Sequence, residues 1–154
     1  MPEFKCIHMD QNGKKGMNAD LVWEDLLDCC MEGEFCDQCQ EEACTIGYAK
    51  KCIKDYQREP KKEVTEGTSR IPTTDFKVYD PHKLETAIAH ILKECKDCKE
   101  DHTENCIINV IRNCYEVGLL GDIHSYEGSA LQYLMYLKAI SPESAGRIAD
   151  IYMS

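Results

Sequence analysis

Eleven of the 154 residues are cysteine, and eight of them fall into two matching sets. Cys36, Cys39, Cys44 and Cys52 are answered by Cys95, Cys98, Cys106 and Cys114 at offsets of 59, 59, 62 and 62, so a single three-residue insertion reconciles the sets. Self-correspondence of this kind is the signature of a duplicated supersecondary unit, here a Cys-x2-Cys turn followed by a helix. The odd total fits disulfide pairing badly. The opening Met1-Pro2-Glu3-Phe4-Lys5 has neither the basic region nor the apolar stretch of a secretory signal. A cytoplasmic location is therefore expected, where a cysteine-rich chain is expected to bind metal or act in redox chemistry.

The rest of the sequence reads as helix. Asn18 can cap a helix over about 19–31, in which Val22, Trp23, Leu26 and Leu27 share a face. A second helix is expected over about 41–56. Asp80-Pro81 supplies a cap and a proline at the first helical position, and Leu84, Ile88, Ile91 and Leu92 repeat on one face of a helix over about 81–95. Thr103 can cap the next segment, whose apolar residues run from Ile107 to Leu120 before Gly121 stops it. Helices over about 126–139 and 142–153 complete the set, and Glu3 to Met9 alternates as a short strand would. The expected fold is mainly α, a bundle of about six helices in one domain over 1–154, with a short N-terminal strand and a duplicated Cys-rich helical hairpin. Its pseudo-repeat halves cover about 30–57 and 89–120, joined by a connector over 57–79.

Charge narrows the partners. Twenty-eight acidic residues stand against 18 basic ones, giving a net charge of −10, which opposes contact with a phosphate backbone. Nucleic acid is thus not an expected partner, and no apolar run reaches the roughly 18 residues of a membrane span.

Thiolates are soft ligands that select zinc, Cu(I) or iron-sulfur clusters and exclude calcium and magnesium. Zinc could join Cys36, Cys39, Cys95 and Cys98 in one four-thiolate clamp, leaving Cys44 and Cys106 unused. A [4Fe-4S] cluster uses three closely spaced cysteines and a fourth farther away. That reading groups Cys36, Cys39 and Cys44 in one site and Cys95, Cys98 and Cys106 in another, with Cys52, Cys114, Cys29, Cys30 or His102 as candidate fourth ligands. Eight residues of straight helix span about 12 Å, so Cys106 and Cys114, with no Gly or Pro between them, are not expected to share a centre. Gly47 lies between Cys44 and Cys52 and leaves their sharing open. The competing reading is that small buried thiols fill a helical core, which applies most to Cys52 and Cys114. His8, His82, His90 and His124 lack ligand-like spacing and are read as structural. Tyr126, Tyr133 and Tyr136 are read as core or as a face for a partner helix.

The run Phe35-Cys36-Asp37-Gln38-Cys39-Gln40-Glu41-Glu42-Ala43-Cys44-Thr45-Ile46-Gly47 resembles the N-terminal cluster loop of hybrid-cluster (prismane) proteins, which has a similar Cys-x2-Cys-Gln-Glu opening and a later Cys-Thr-Ile. Its spacing is also similar to a cluster loop of nickel carbon monoxide dehydrogenases. The likeness covers about 17 of 154 residues, and the fourth cysteine lies in Lys51-Cys52-Ile53 where those families have Gly-Val-Cys-Gly. It implies a cluster type rather than either family's activity. The sequence contains no phosphate-binding glycine loop, nucleophile elbow or zinc-protease helix. The expected role is therefore non-catalytic: electron transfer, or an accessory subunit of an anaerobic redox enzyme, with the acidic surface docking on a basic patch of a protein redox partner. The alternative is a zinc-stabilised helical protein-interaction module.

Overall fold

The computed structural model describes residues 8–9, 15–16, 18–30, 44–61, 63–73, 79–95, 105–124, 126 and 129–154. Side-chain caps set most of the helix starts. Asn18 Oδ1 accepts from the Leu21 N–H at 3.2 Å and opens α1 (Ala19–Cys29). The Cys44 sulfur accepts from the Gly47 N–H at 3.5 Å and opens α2 (Thr45–Arg58). Asp80 Oδ1 accepts from the His82 N–H at 2.9 Å ahead of α3 (Pro81–Cys95). Cys106 occupies the N-cap of α4 (Ile107–Leu120), which ends at Gly121 with φ of 82°, a left-handed conformation that favours glycine. Ser129 Oγ accepts from the Gln132 N–H to open α5 (Ala130–Ile140), and Ser141-Pro142 opens α6 (Pro142–Met153). A two-residue antiparallel pair, β1 (His8–Met9) with β2 (Lys15–Gly16), accompanies the helices.

Among the described residues the observed architecture is thus a mainly α bundle of six helices. α3 and α6 keep their expected bounds. α2 starts at residue 45 rather than 41 because a thiol, not usually counted among capping groups, caps it. α5 starts at residue 130 rather than 126, where Ser129 provides the cap. Thr103 lies outside the described residues.

The duplication runs deeper than the cysteines. Asn18 and Asp80, Cys44 and Cys106, and Cys52 and Cys114 are each 62 positions apart and hold equivalent places in the hairpins α1–α2 and α3–α4. At the same offset Val22 matches Leu84, Leu26 matches Ile88, Ile46 matches Ile108 and Ala49 matches Ile111, all buried. Even the buried cation recurs, as Lys50 in α2 and Arg112 in α4.

Contacts fix how the hairpins meet. The start of α1 lies at the end of α3, since the Asn18 N–H donates to Glu94 Oε1 at 2.6 Å. Further along, His90 Nδ1 sits 2.8 Å from Asp25 Oδ2, and the charges of Lys83 and Asp80 reach Cys29. α1 and α3 are therefore antiparallel. Lys50 Nζ lies 3.7 Å from the Cys30 sulfur and over the Trp23 ring, so α1 and α2 are antiparallel as well. A Cβ on Gly118 would meet Leu84 and Tyr79 at 3.2 Å, which sets α4 against the beginning of α3. The consequence is that the two inter-helix loops leave from opposite ends of the bundle. The connector folds back onto the residue ahead of the α4 cap and onto α2: the Val64 N–H donates to the Asn105 carbonyl and the Thr68 N–H to Asn105 Oδ1, while the Tyr48 hydroxyl of α2 donates to the Gly67 carbonyl at 2.7 Å.

α6 is tied to α3 by one buried carboxylate. Glu85 accepts from Ser144 Oγ at 2.6 Å and from Arg147 Nε and Nη2 at 2.6 and 2.8 Å. Burial pushes the Glu85 pKa up, but the hydrogen bonds from Arg147 and Ser144 outweigh it and hold the carboxyl below its ordinary value. A lowered folded pKa contributes stability that is complete above the unfolded value of about 4.3 and is lost as pH falls through the folded value. Glu85→Gln should accordingly unfold more easily at neutral pH and lose part of the wild-type dependence on acid. Urea midpoints with the same slope against pH in both proteins would refute this role.

Candidate metal centres at the loop ends

The cysteine positions separate into two kinds once they are placed on the helices. Cys44 and Cys106 stand at the N-caps of α2 and α4, where each inter-helix loop ends. The positive pole of the helix dipole lies at such positions and suits an anionic sulfur ligand. Cys44 is further fixed by a hydrogen bond with the Tyr79 hydroxyl at 2.8 Å, and Thr45 Oγ1 donates to the same hydroxyl.

Cys52 and Cys114 belong to the second kind. Both lie in helix interiors at the packed α2–α4 face. Burial drives the Cys52 pKa up to about 11, against a hydrogen bond with Tyr48 that lowers it, and burial drives Cys114 well above the ordinary range. Protonated thiols of this kind act as small apolar core groups. α2 runs unbroken from Thr45, with Gly47 inside its first turn, so Cys52 sits about 12 Å along the axis from Cys44. The sharing left open by Gly47 is therefore not supported. The same geometry separates Cys106 from Cys114.

At the end of α1 the adjacent pair divides. Cys29 faces the core, its pKa raised to about 12 by burial and then by the charge of Asp25. Cys30 is the half-buried C-cap residue beside Lys50. Cys95 is the last residue of α3. Cys36, Cys39, Cys98 and His102 lie outside the described residues, as does the side chain of Cys95. Among the described residues no group of three or more His, Cys, Asp or Glu side chains is arranged to hold a metal ion. What the structure places is thus one candidate ligand at each loop end, Cys44 and Cys106, with Cys30 and Cys95 at the opposite margins of the same loops.

Two further sites were not singled out by the sequence. An open cleft of about 300 Å³ is lined by Cys52, Tyr56, Arg58, Lys61, Glu63 and Arg70, among others. Its charges are mixed, with Arg58 paired to Asp55 at 2.8 Å and Lys61 to Glu59 at 3.2 Å, so it presents no single-sign field to a ligand. The other is a buried polar cluster. Glu116 accepts from Arg112 Nε at 3.0 Å, Asn113 Nδ2 at 2.7 Å, the His124 N–H at 2.9 Å and the Tyr133 hydroxyl. Arg112 lies between the rings of Tyr126 and Tyr133 at 5.0 and 5.1 Å, and among the described residues its Nη1 has no hydrogen-bond partner. The i, i+3 and i, i+4 spacing of Asn109, Arg112, Asn113 and Glu116 was the signal available in the sequence. Of the three tyrosines, Tyr126 and Tyr133 are core and Tyr136 is exposed.

No helix among the described residues is long and apolar enough to cross a membrane. Comparison with family models, with curated proteins and with solved structures returns no match for this chain.

Proposed function

We propose that this chain is a metalloprotein in which each inter-helix loop carries its own cysteine-ligated centre, a [4Fe-4S] cluster, and that it serves in electron transfer or as an accessory subunit of a redox enzyme. The observation that carries the reading is the equivalence of Cys44 and Cys106. Each follows a Cys-x2-Cys loop, and each is set at the start of a helix by the same duplicated hairpin. A cluster bound there would be held by Cys36, Cys39 and Cys44 at one end and by Cys95, Cys98 and Cys106 at the other, and would supply one-electron chemistry. The likeness of residues 36–52 to the prismane cluster loop favours iron and sulfur over zinc. The antiparallel arrangement favours two sites over one clamp, since the ends of a 14-residue helix lie about 20 Å apart. The net charge of −10 suits docking on a basic patch of a protein partner.

Metal analysis after anaerobic purification tests the reading. The expected protein is brown, absorbs near about 400 nm, and loses roughly half of its iron in Cys44→Ala and in Cys106→Ala while keeping it in Cys52→Ala and Cys114→Ala. A colourless protein with stoichiometric zinc would replace the cluster by a structural zinc site. Full metal content in both N-cap variants would overturn the site assignment.

A further inference from the structure

Among the described residues, α5 is attached to the body by one side only. Tyr133, Leu134 and Leu137 face inward, and Tyr133 reaches Glu116 in α4. The outward half of the helix carries Leu131, Gln132, Met135, Tyr136, Ala139 and Ile140, and its four large apolar side chains are 45–65% exposed. Tyr136 is not a loose side chain, because its ring meets His124 edge to face at 5.6 Å and its hydroxyl lies 3.3 Å from His124 Nδ1. A rigid aromatic in the middle of an apolar patch is the usual anchor of a protein contact.

We infer that this face of α5 binds the same face of a second copy of the chain, the two helices crossing antiparallel about a two-fold axis between Met135 and Tyr136. Spacing supplies the first argument. Leu131 stands four residues before Met135 and Ile140 four residues after Tyr136, so the face reads alike from either end. In an antiparallel pair Leu131 meets the partner's Ile140, Met135 meets the partner's Tyr136, and Gln132 meets the partner's Ala139. Such self-complementarity is what an isologous interface requires.

Charge supplies the second argument. Two copies carrying −10 each repel one another, yet residues 129–142 contain no Asp or Glu and a single basic residue, Lys138. This face lets the copies approach without opposing their acidic surfaces. A partner drawn by charge to the acidic protein would find little to hold here. The 11-residue helix is about 16 Å long, which puts the contact at the small end of specific interfaces, the size of weak and transient encounters.

Sedimentation velocity on the intact, metal-loaded chain tests this over roughly 1 to 500 µM, a range that spans weak affinities. A monomer–dimer equilibrium is expected, and it should tighten as salt rises, because screening relieves like-charge repulsion. Met135→Glu sets two carboxylates beside the axis and should weaken the dimer at least tenfold with unchanged helical circular dichroism. Leu131→Gln should weaken it in the same direction, whereas Leu27→Glu on α1 should leave it intact. A chain that stays monomeric throughout the range overturns the inference. So does a dimer indifferent to both α5 variants, or a monomer whose α5 face instead binds neutral lipid vesicles.

Discussion

Glu116→Ala is expected to cost about 3–5 kcal/mol of folding stability, the loss that follows when one partner of a buried ion pair is removed. The side chains of Glu116 and Arg112 are both essentially inaccessible to solvent. The carboxylate satisfies four donors at once: Arg112, Asn113, the His124 backbone and Tyr133. Removing it leaves a guanidinium charge in the core whose remaining hydrogen bonds go to Asn109 Oδ1 and the His124 carbonyl. The two flanking tyrosine rings offset part of that charge by cation–π attraction, worth roughly 1–2 kcal/mol when desolvated. Glu116→Gln keeps the shape but makes the group neutral, so it should fall between wild type and Glu116→Ala. For a chain of this size the full loss corresponds to a fall of roughly 10 °C or more in Tm. Urea unfolding of the two variants checks the order, and a cost below about 1 kcal/mol for Glu116→Ala would show that water or rearranged side chains already compensate the arginine.

That cluster also marks the limit of what could be read in advance. The helices were legible because their signals are local: Asp80-Pro81 and Ser141-Pro142 open α3 and α6, Gly121 closes α4, and apolar residues recur on one face. The starts of α2 and α5 each moved by four residues, the former because Cys44 takes the place of a serine or asparagine cap. Repeated spacing announced that the halves correspond, and the 62-residue offset extends that correspondence to Asn18 and Asp80. It says nothing of how the halves are oriented. A parallel arrangement would have brought both Cys-x2-Cys loops to one end, as a single zinc clamp requires. The antiparallel contact from Asn18 to Glu94 puts the helix ends that flank the two loops at opposite ends of the bundle, and only long-range contacts carry that information. Cys52 and Cys114 show the same ambiguity, since spacing alone makes a thiol a ligand as readily as a core residue and only burial tells them apart.

On the proposal of two cysteine-ligated centres, removing metal from the reduced protein should loosen both ends of the bundle and spare its middle. No site preformed in the unfolded chain competes, so metal-binding free energy counts toward folding. With each centre anchored at a loop, its loss releases the end of one helix and the start of the next. Amide exchange should accelerate about 100-fold, or about 2.8 kcal/mol at 1.4 kcal/mol per tenfold, over residues 26–30 and 44–48 and over residues 92–94 and 105–109. The centres of α2 and α4, packed through Cys52 and Cys114, and the helices α5 and α6 should keep their protection. Single variants then separate two sites from one. Cys39→Ala should loosen only the end where α1 meets α2, and Cys98→Ala only the end where α3 meets α4, because the two lie about 20 Å apart. A clamp shared by both Cys-x2-Cys pairs would instead loosen both ends in either variant. Protection unchanged everywhere after chelation would mean that the cysteines serve only as core residues, and the metalloprotein reading would fail with it.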